Sequence, residues 1–214
     1  MPGWSVHEGA AVALPLENVD TDQLIPARFM STPRREGYGR FLLHDLRRGA
    51  DGAPDPSFPL NRHPEASVLI ARRNFGCGSS REAAVYALAD AGIRAVIAPG
   101  FGDIFAGNAV NNGLLPATLP ETDCEDLIAA LAGGTAPCRI GLEPCRIGIA
   151  GRSFPFGLPD AWRTKLLNGW DDIDLTRAET SRIAEFRGRR RAGAPWAWPR
   201  PDASRHPAAQ NDGD

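Results

Sequence analysis

Two glycines flank a cysteine, and two serines and an arginine follow at once, in Asn74-Phe75-Gly76-Cys77-Gly78-Ser79-Ser80-Arg81-Glu82. Two hydroxyls beside a guanidinium, on backbone made permissive by Gly76 and Gly78, suit the holding of a carboxylate at close range. An apolar run with strand character, residues 67–71, leads in, and a helix-forming run, residues 83–91, leads out to Gly92. This order predicts a strand-to-helix turn, with Ser79 and Ser80 opening the helix. The first amides of a helix have no partner inside it and attract anions. A purely structural reading competes: Ser79-Ser80-Arg81-Glu82 has the S-x-x-E spacing of a capping box, in which Ser79 only starts the helix.

The rest of the chain must place that turn. Residues 10–16 read as a strand ending at proline, delivering Glu17-Asn18-Val19-Asp20-Thr21-Asp22-Gln23-Leu24-Ile25-Pro26, which alone reads as a capped turn with solvated acids. After the helix come an apolar run at 95–98, a helix over 103–112 closed by Gly113, and an apolar run at 114–119. Strand, helix, strand, helix, strand in this order argues for parallel strands covered by helices, with ligands gathering at the strand carboxyl ends. A further helix, capped by Asp123, runs through Ile128 and Leu131 to Gly133-Gly134. Three short runs, 138–142, 145–149 and 152–156, read as a small antiparallel set. Amphipathic helices follow at 159–168 and 176–186, with Trp162, Leu166, Leu167, Ile183 and Phe186 as their buried anchors.

Residues 31–64 are rich in Arg, Gly and Pro, with one apolar patch at Phe41-Leu42-Leu43, and a loop of this length is expected to serve a site. The cluster Arg187, Arg189, Arg190 and Arg191 lacks interleaved aromatics and reads as a solvated helix end. From 201 onward the composition predicts a disordered tail, leaving residues 1–200 as one domain.

Composition narrows the function classes. The 214 residues carry a net charge of −2, with 43% hydrophobic and 23% charged side chains, which gives no reason to expect nucleic acid or membrane. No apolar run approaches a membrane span and the first residues are not a signal peptide, so a cytoplasmic protein is expected. Cys77, Cys124, Cys138 and Cys145 form no C-x-x-C pair, and His7, His44, His63 and His206 lack ligand spacing. Any metal must therefore come from elsewhere. The turn also lacks the G-x-S-x-G elbow of a serine hydrolase and the G-x-G-x-x-G of a dinucleotide site.

Three segments, 18–26, 74–82 and 96–108, in this order and spacing, resemble the small subunit of bacterial 3-isopropylmalate dehydratase. The weaker likeness runs from the first strand to about Phe186. The resemblance implies the swivelling β/β/α domain of aconitase, an α/β fold with a parallel core sheet flanked by helices plus the small antiparallel set. It implies a separate large subunit bearing a [4Fe-4S] cluster, and movement of the hydroxyl of 2-isopropylmalate to the neighbouring carbon through isopropylmaleate, in the leucine pathway. By the same carry-over Ser79 is the catalytic base acting as an alkoxide, Ser80 a neighbouring hydrogen-bonding group and Arg81 a substrate carboxylate clamp. Thr21 and Asp22 match the Thr-Asp of the first motif, whose polar groups shape the site, and Arg28 is a second clamp.

The resemblance has one visible departure. Where the family commonly continues with His-Ala after Ser-Ser-Arg-Glu, this chain has Ala83-Ala84. The 31–64 loop lies where the family reads the substrate side chain, and Phe41, Leu42 and Leu43 would suit an isopropyl group. The competing expectations are a sister hydro-lyase subunit acting on homocitrate, citraconate or a similar diacid, and a non-catalytic anion-binding module.

Overall fold

The computed structural model describes residues 2–198; the tail expected from 201 onward lies outside the described residues. Seven strands form one sheet in the order β4-β3-β2-β1-β5-β6-β7. They are β1 (Val6–Leu14), β2 (Ala66–Ala71), β3 (Ala95–Ala98), β4 (Leu115–Thr118), β5 (Thr135–Gly141), β6 (Arg146–Ile149) and β7 (Arg152–Pro155). The first four are mutually parallel and the last three antiparallel. The expected antiparallel set exists, but it is continuous with the parallel half: β1 pairs β2 on one edge and β5 on the other, from Val6 against Gly141 to Val12 against Thr135.

The apolar runs of the parallel half have a direct cause. Successive side chains in a strand point to opposite faces, and here both faces are covered. Val12, Leu14, Leu69, Ala71, Val96 and Ala98 enter one core. Their neighbours Ala11, Ala13, Val68, Ile70, Ala95 and Ile97 enter a second core on the other side. The first core is closed by α3 (Glu82–Asp90) and the second by α5 (Glu121–Leu131) and Leu166 of α6 (Asp160–Asn168). One-turn helices α1 (Thr21–Leu24) and α2 (Pro59–Arg62) lie in the connection between β1 and β2, and α4 (Asp103–Asn111) follows β3. No helix among the described residues is long and apolar enough to cross a membrane.

Within the long connection at 31–64, the apolar patch is a built part of the first core. Leu42 and Leu43 are fully buried, with the Leu43 amide donating to the Leu24 carbonyl at 3.0 Å. Phe41 is half-buried and stacked on Phe29 at 4.3 Å between ring centroids. Asp90 at the end of α3 pins the segment, accepting from both terminal nitrogens of Arg34 at 2.6 and 2.9 Å and from the Tyr38 amide at 2.6 Å. Leu42 and Leu43 thus pack the sheet and are unavailable to a ligand.

The chain divides into two compact units, Met1–Leu175 and Thr176–Asp214, with α7 (Asp172–Ala178) crossing the division. The expected helix at 176–186 is in fact α7 followed by α8 (Thr180–Gly193). In α8 the two anticipated anchors are exposed among the described residues, Ile183 at 47% and Phe186 at 60%. Arg187, Arg189, Arg190 and Arg191 are all exposed along the same helix. In the first unit Leu166 is buried as expected, and Trp162 and Leu167 are half-buried.

Candidate active site

The three sequence segments quoted above meet beyond the carboxyl ends of β1, β2 and β3. Asp20 and Cys77 form a parallel bridge, as do Phe75 and Phe101. The Gly76 amide donates to the Val19 carbonyl at 2.7 Å and the Thr21 amide to the Cys77 carbonyl at 3.0 Å. On the other edge the Phe75 amide donates to Gly100 at 3.1 Å and the Gly102 amide to Phe75 at 2.9 Å. The turn is therefore a short extension of the parallel sheet, held on both sides by backbone.

Its shape depends on left-handed residues. Asn74, Gly76 and Gly78 have φ of 61°, 72° and 90°, and Asn74 Nδ2 donates to Oδ1 of Asn18, itself left-handed, at 2.8 Å. A side chain on Gly76 would enter the Phe105 ring, and one on Gly102 would meet the Gly76 carbonyl at 2.6 Å. The close approach of these strands requires glycine at both positions.

Helix α3 opens at Glu82, with Arg81 at its N-cap position and no side-chain capping bond. This corrects both readings of the helix start: Ser79 and Ser80 precede the helix, and the capping box is not formed at Ser79. Tertiary contact prevails over the local pattern, because the Ser79 carbonyl accepts from the Thr21 hydroxyl at 2.8 Å and from the Arg81 amide at 2.8 Å. The capping box occurs instead in the first motif, where Asp20 caps α1 and Gln23 reaches back to it, at 2.7 and 3.0 Å.

Five of the six expected site residues come together. Thr21 is buried at 2% exposure with its hydroxyl spent on the Ser79 carbonyl, and Asp22 is ion-paired to Arg81. Ser79 and Ser80 present their side chains to solvent. Arg28 stands apart: its guanidinium pairs with Asp45, 2.9 Å from Oδ2, and lies 4.5 Å from the centroid of the Phe29 ring. That pair, together with His44, holds the Asp45 carboxyl down at about 2. Since the depressed carboxylate protonates only near pH 2, mild acid does not release Arg28.

Beside the turn is a cleft of about 230 Å³, walled by Gly76, Cys77, Gly78 and Ser79 on one side and by Gly102, Asp103, Ile104 and Phe105 on the other. The second wall carried no assigned role in the sequence, although it falls within the third motif and at the start of a helix. Ile104 is 58% exposed there, an apolar residue at the rim of a polar turn.

Cysteine environments separate cleanly. Burial pushes the Cys124 and Cys138 thiols up to about 12, aided at Cys124 by neighbouring carboxylates, whereas Cys77 and Cys145 are half-buried. Iodoacetamide at pH 8 is expected to alkylate Cys77 and Cys145 in the native chain and to reach Cys124 and Cys138 only after unfolding, as read by peptide mass spectrometry.

Known proteins resemble this chain along most of its length. The aconitase C-terminal domain family model matches residues 1–122. The chain is 47% identical over 201 residues to the 3-isopropylmalate dehydratase small subunit of Rhodospirillum centenum, covering 92% of this chain and 99% of that one. It is 45% identical over 195 residues to the protein of that name from Shewanella amazonensis, with 88% and 97% coverage. Among solved structures, 3-isopropylmalate dehydratase from Methanocaldococcus jannaschii superposes with a TM-score of 0.62 at 26% identity, covering 84% of this chain and 98% of that one.

Proposed function

Because the chain belongs to the aconitase C-terminal domain family, we propose that it works as the small subunit of a 3-isopropylmalate dehydratase. Paired with a large subunit, it interconverts 2-isopropylmalate and 3-isopropylmalate through isopropylmaleate, in leucine biosynthesis. The activity is that of a hydro-lyase belonging to the two-chain complex, which we place in the cytoplasm. The observation that carries this reading is the junction of Thr21 and Asp22 with Ser79 and Arg81 beside the open cleft.

This chain's own residues do not fit an iron-sulfur cluster. Cys124 and Cys138 are buried with their thiols held protonated, and among the described residues no three His, Cys, Asp or Glu side chains gather as metal ligands. We assign the [4Fe-4S] cluster to the large subunit, where, when bound, it supplies the Lewis acid for the departing hydroxyl.

The steps given to this chain are binding and proton transfer. Arg81 takes a substrate carboxylate, with Asp22 holding the guanidinium ready until the substrate competes for it. Ser79, as an alkoxide, removes the proton from the carbon next to a carboxylate. The C–H electron pair becomes the new C=C bond as the C–O bond on the adjacent carbon breaks, the hydroxide leaving with that bond's electron pair, and the proton stays on Ser79 Oγ. Rehydration exchanges the two carbons: hydroxide adds to the carbon that lost its proton, and the Ser79 hydroxyl gives its proton to the carbon that lost the hydroxyl. A serine alkoxide at neutral pH requires nearby positive charge, which Arg81 and the unpaired amides at the start of α3 provide. Ser80 is the adjacent hydrogen-bonding group. Arg28, paired with Asp45, serves as a second clamp only by giving up that carboxylate.

Thr21 is a positioning residue: its hydroxyl fixes the Ser79 carbonyl and with it the direction of the serine side chain. Thr21→Val keeps the shape and removes the donor, and is expected to lower kcat roughly tenfold, the worth of about 1.4 kcal/mol in one misplaced hydrogen bond, with KM little changed. Steady-state kinetics of the reconstituted pair checks this.

The test of the whole reading is co-purification with a cluster-bearing large subunit, followed by turnover on 2-isopropylmalate and a panel of other diacids. Activity is expected only from the pair, and preferentially on the branched substrate. Preference for homocitrate or citraconate would assign the chain to a sister hydro-lyase, and full turnover by this chain alone would overturn the division of labour.

A further inference from the structure

At the far end of α3 from the catalytic turn lies a second cavity, of about 270 Å³. It is bounded by Ala66, which begins β2, and by Ala91 and Ile93, which follow α3. Helix α3 alone, at nine residues and about 1.5 Å of rise per residue, separates it from the Ser79 turn by roughly 13 Å.

Its lining combines cations with hydrocarbon. Arg47 and Arg48 line it with His44 on the polar side, and Pro54, Pro64 and Ala91, each with accessible surface, on the apolar side. Arg47 is half-buried and rigidly held. Its Nε donates to Asn61 Oδ1 at 2.9 Å and one terminal nitrogen to the Leu60 carbonyl at 3.4 Å, while Asn61 donates back to the Arg47 carbonyl at 2.7 Å. Arg48 donates to the Gly52 carbonyl at 2.8 Å. These bonds orient both guanidinium groups without neutralising either.

Neighbouring arginines differ in that respect. Arg28, Arg34, Arg72, Arg73 and Arg81 each pair with a carboxylate, whereas among the described residues neither Arg47 nor Arg48 does. A cation withdrawn from water without a counter-ion is unfavourable, and Arg47 carries the mark of it: burial, then the adjacent Arg48, lowers its pKa. An anion in the cavity would supply the missing counter-charge to both guanidinium groups.

We propose that this cavity is a binding site, separate from the catalytic turn, for a small aliphatic monocarboxylate whose carboxylate meets Arg47 and Arg48 and whose hydrocarbon part lies against Pro54, Pro64 and Ala91. The volume is below the roughly 300 Å³ at which pockets for drug-sized ligands begin, which favours an acid of a few carbons over a larger metabolite. The free terminal N–H groups of a fixed guanidinium suit the planar carboxylate. A bare inorganic anion would leave the apolar wall without a partner.

The test titrates the purified full chain with 3-methylbutanoate, its neutral amide 3-methylbutanamide, and inorganic phosphate, by ligand-observed NMR. The acid is expected to bind at millimolar concentration or below, with the amide and phosphate each weaker by about tenfold or more, the range for one charge-assisted hydrogen bond. Arg47→Gln removes the central cation, and Arg48→Gln does so on an exposed residue without touching the Arg47–Asn61 bond. Both are expected to weaken the acid about tenfold or more, while Arg81→Gln leaves it unchanged. Absence of binding, equal binding of amide or phosphate, retention of affinity in Arg48→Gln, or loss of it in Arg81→Gln would each overturn the proposal.

Discussion

Ser79→Ala is expected to abolish turnover of the reconstituted pair, by about 10²–10⁴-fold or more in kcat, the contribution of a positioned general base. The side chain is exposed at the cleft wall and makes no capping bond, so its loss removes chemistry without removing packing. Unchanged thermal stability and unchanged association with the large subunit should accompany the loss. Ser80→Ala, beside it, tests the assignment, because a role as hydrogen-bonding neighbour predicts a much smaller effect. If the two variants lost activity equally with Ser79→Ala still active, the base would have to be sought elsewhere.

Gly76→Ala is expected to destabilise the chain by about 3 kcal/mol. A left-handed φ of 72° costs an L-residue about 1–2 kcal/mol, and the new methyl falls on the Phe105 ring, an overpacking worth about 1–3 kcal/mol more. At a chain of this size, about 3 kcal/mol corresponds to a fall in Tm of roughly 10 °C. Gly52→Ala separates the two causes, since Gly52 has φ of 78° but no atom within 4 Å of the added methyl. Calorimetry should show only the strain component there. Equal falls in the two variants would show that the Gly76–Phe105 contact yields without cost.

The parts legible in the sequence are those with a short-range physical cause. Strands β2 and β3 are buried on both faces, so their residues form mostly apolar runs that stand out from their surroundings. The turn after β2 announces itself by Asn74, Gly76 and Gly78, whose left-handed backbone few other residues accept. The parts that were not legible depend on contacts across the chain. Ser79 has the spacing of a helix cap, but the Thr21 hydroxyl, 58 positions away, takes hold of its carbonyl and the helix starts later. Leu42 and Leu43 sit among Arg, Gly and Pro without periodicity, and only the complete first core reveals them as interior residues. The spacing of Ile183 and Phe186 indicates a face, but periodicity alone does not say whether anything covers it. Sequence likewise gives no sign that Arg28 meets Asp45 while Arg81 meets Asp22.

The position of β1 has a consequence for how the chain matures. This strand is the seam of the sheet, bonded to β2 on one edge and along residues 6–12 to β5 at 135–141 on the other. During synthesis its second edge stays unsatisfied until the ribosome has released the segment around residue 141, so the nascent polypeptide must carry an open strand edge for most of its translation. Contacts this distant along the chain also make refolding slow. Truncations ending before β5 should therefore aggregate on expression even though they retain every residue of the turn at 74–82.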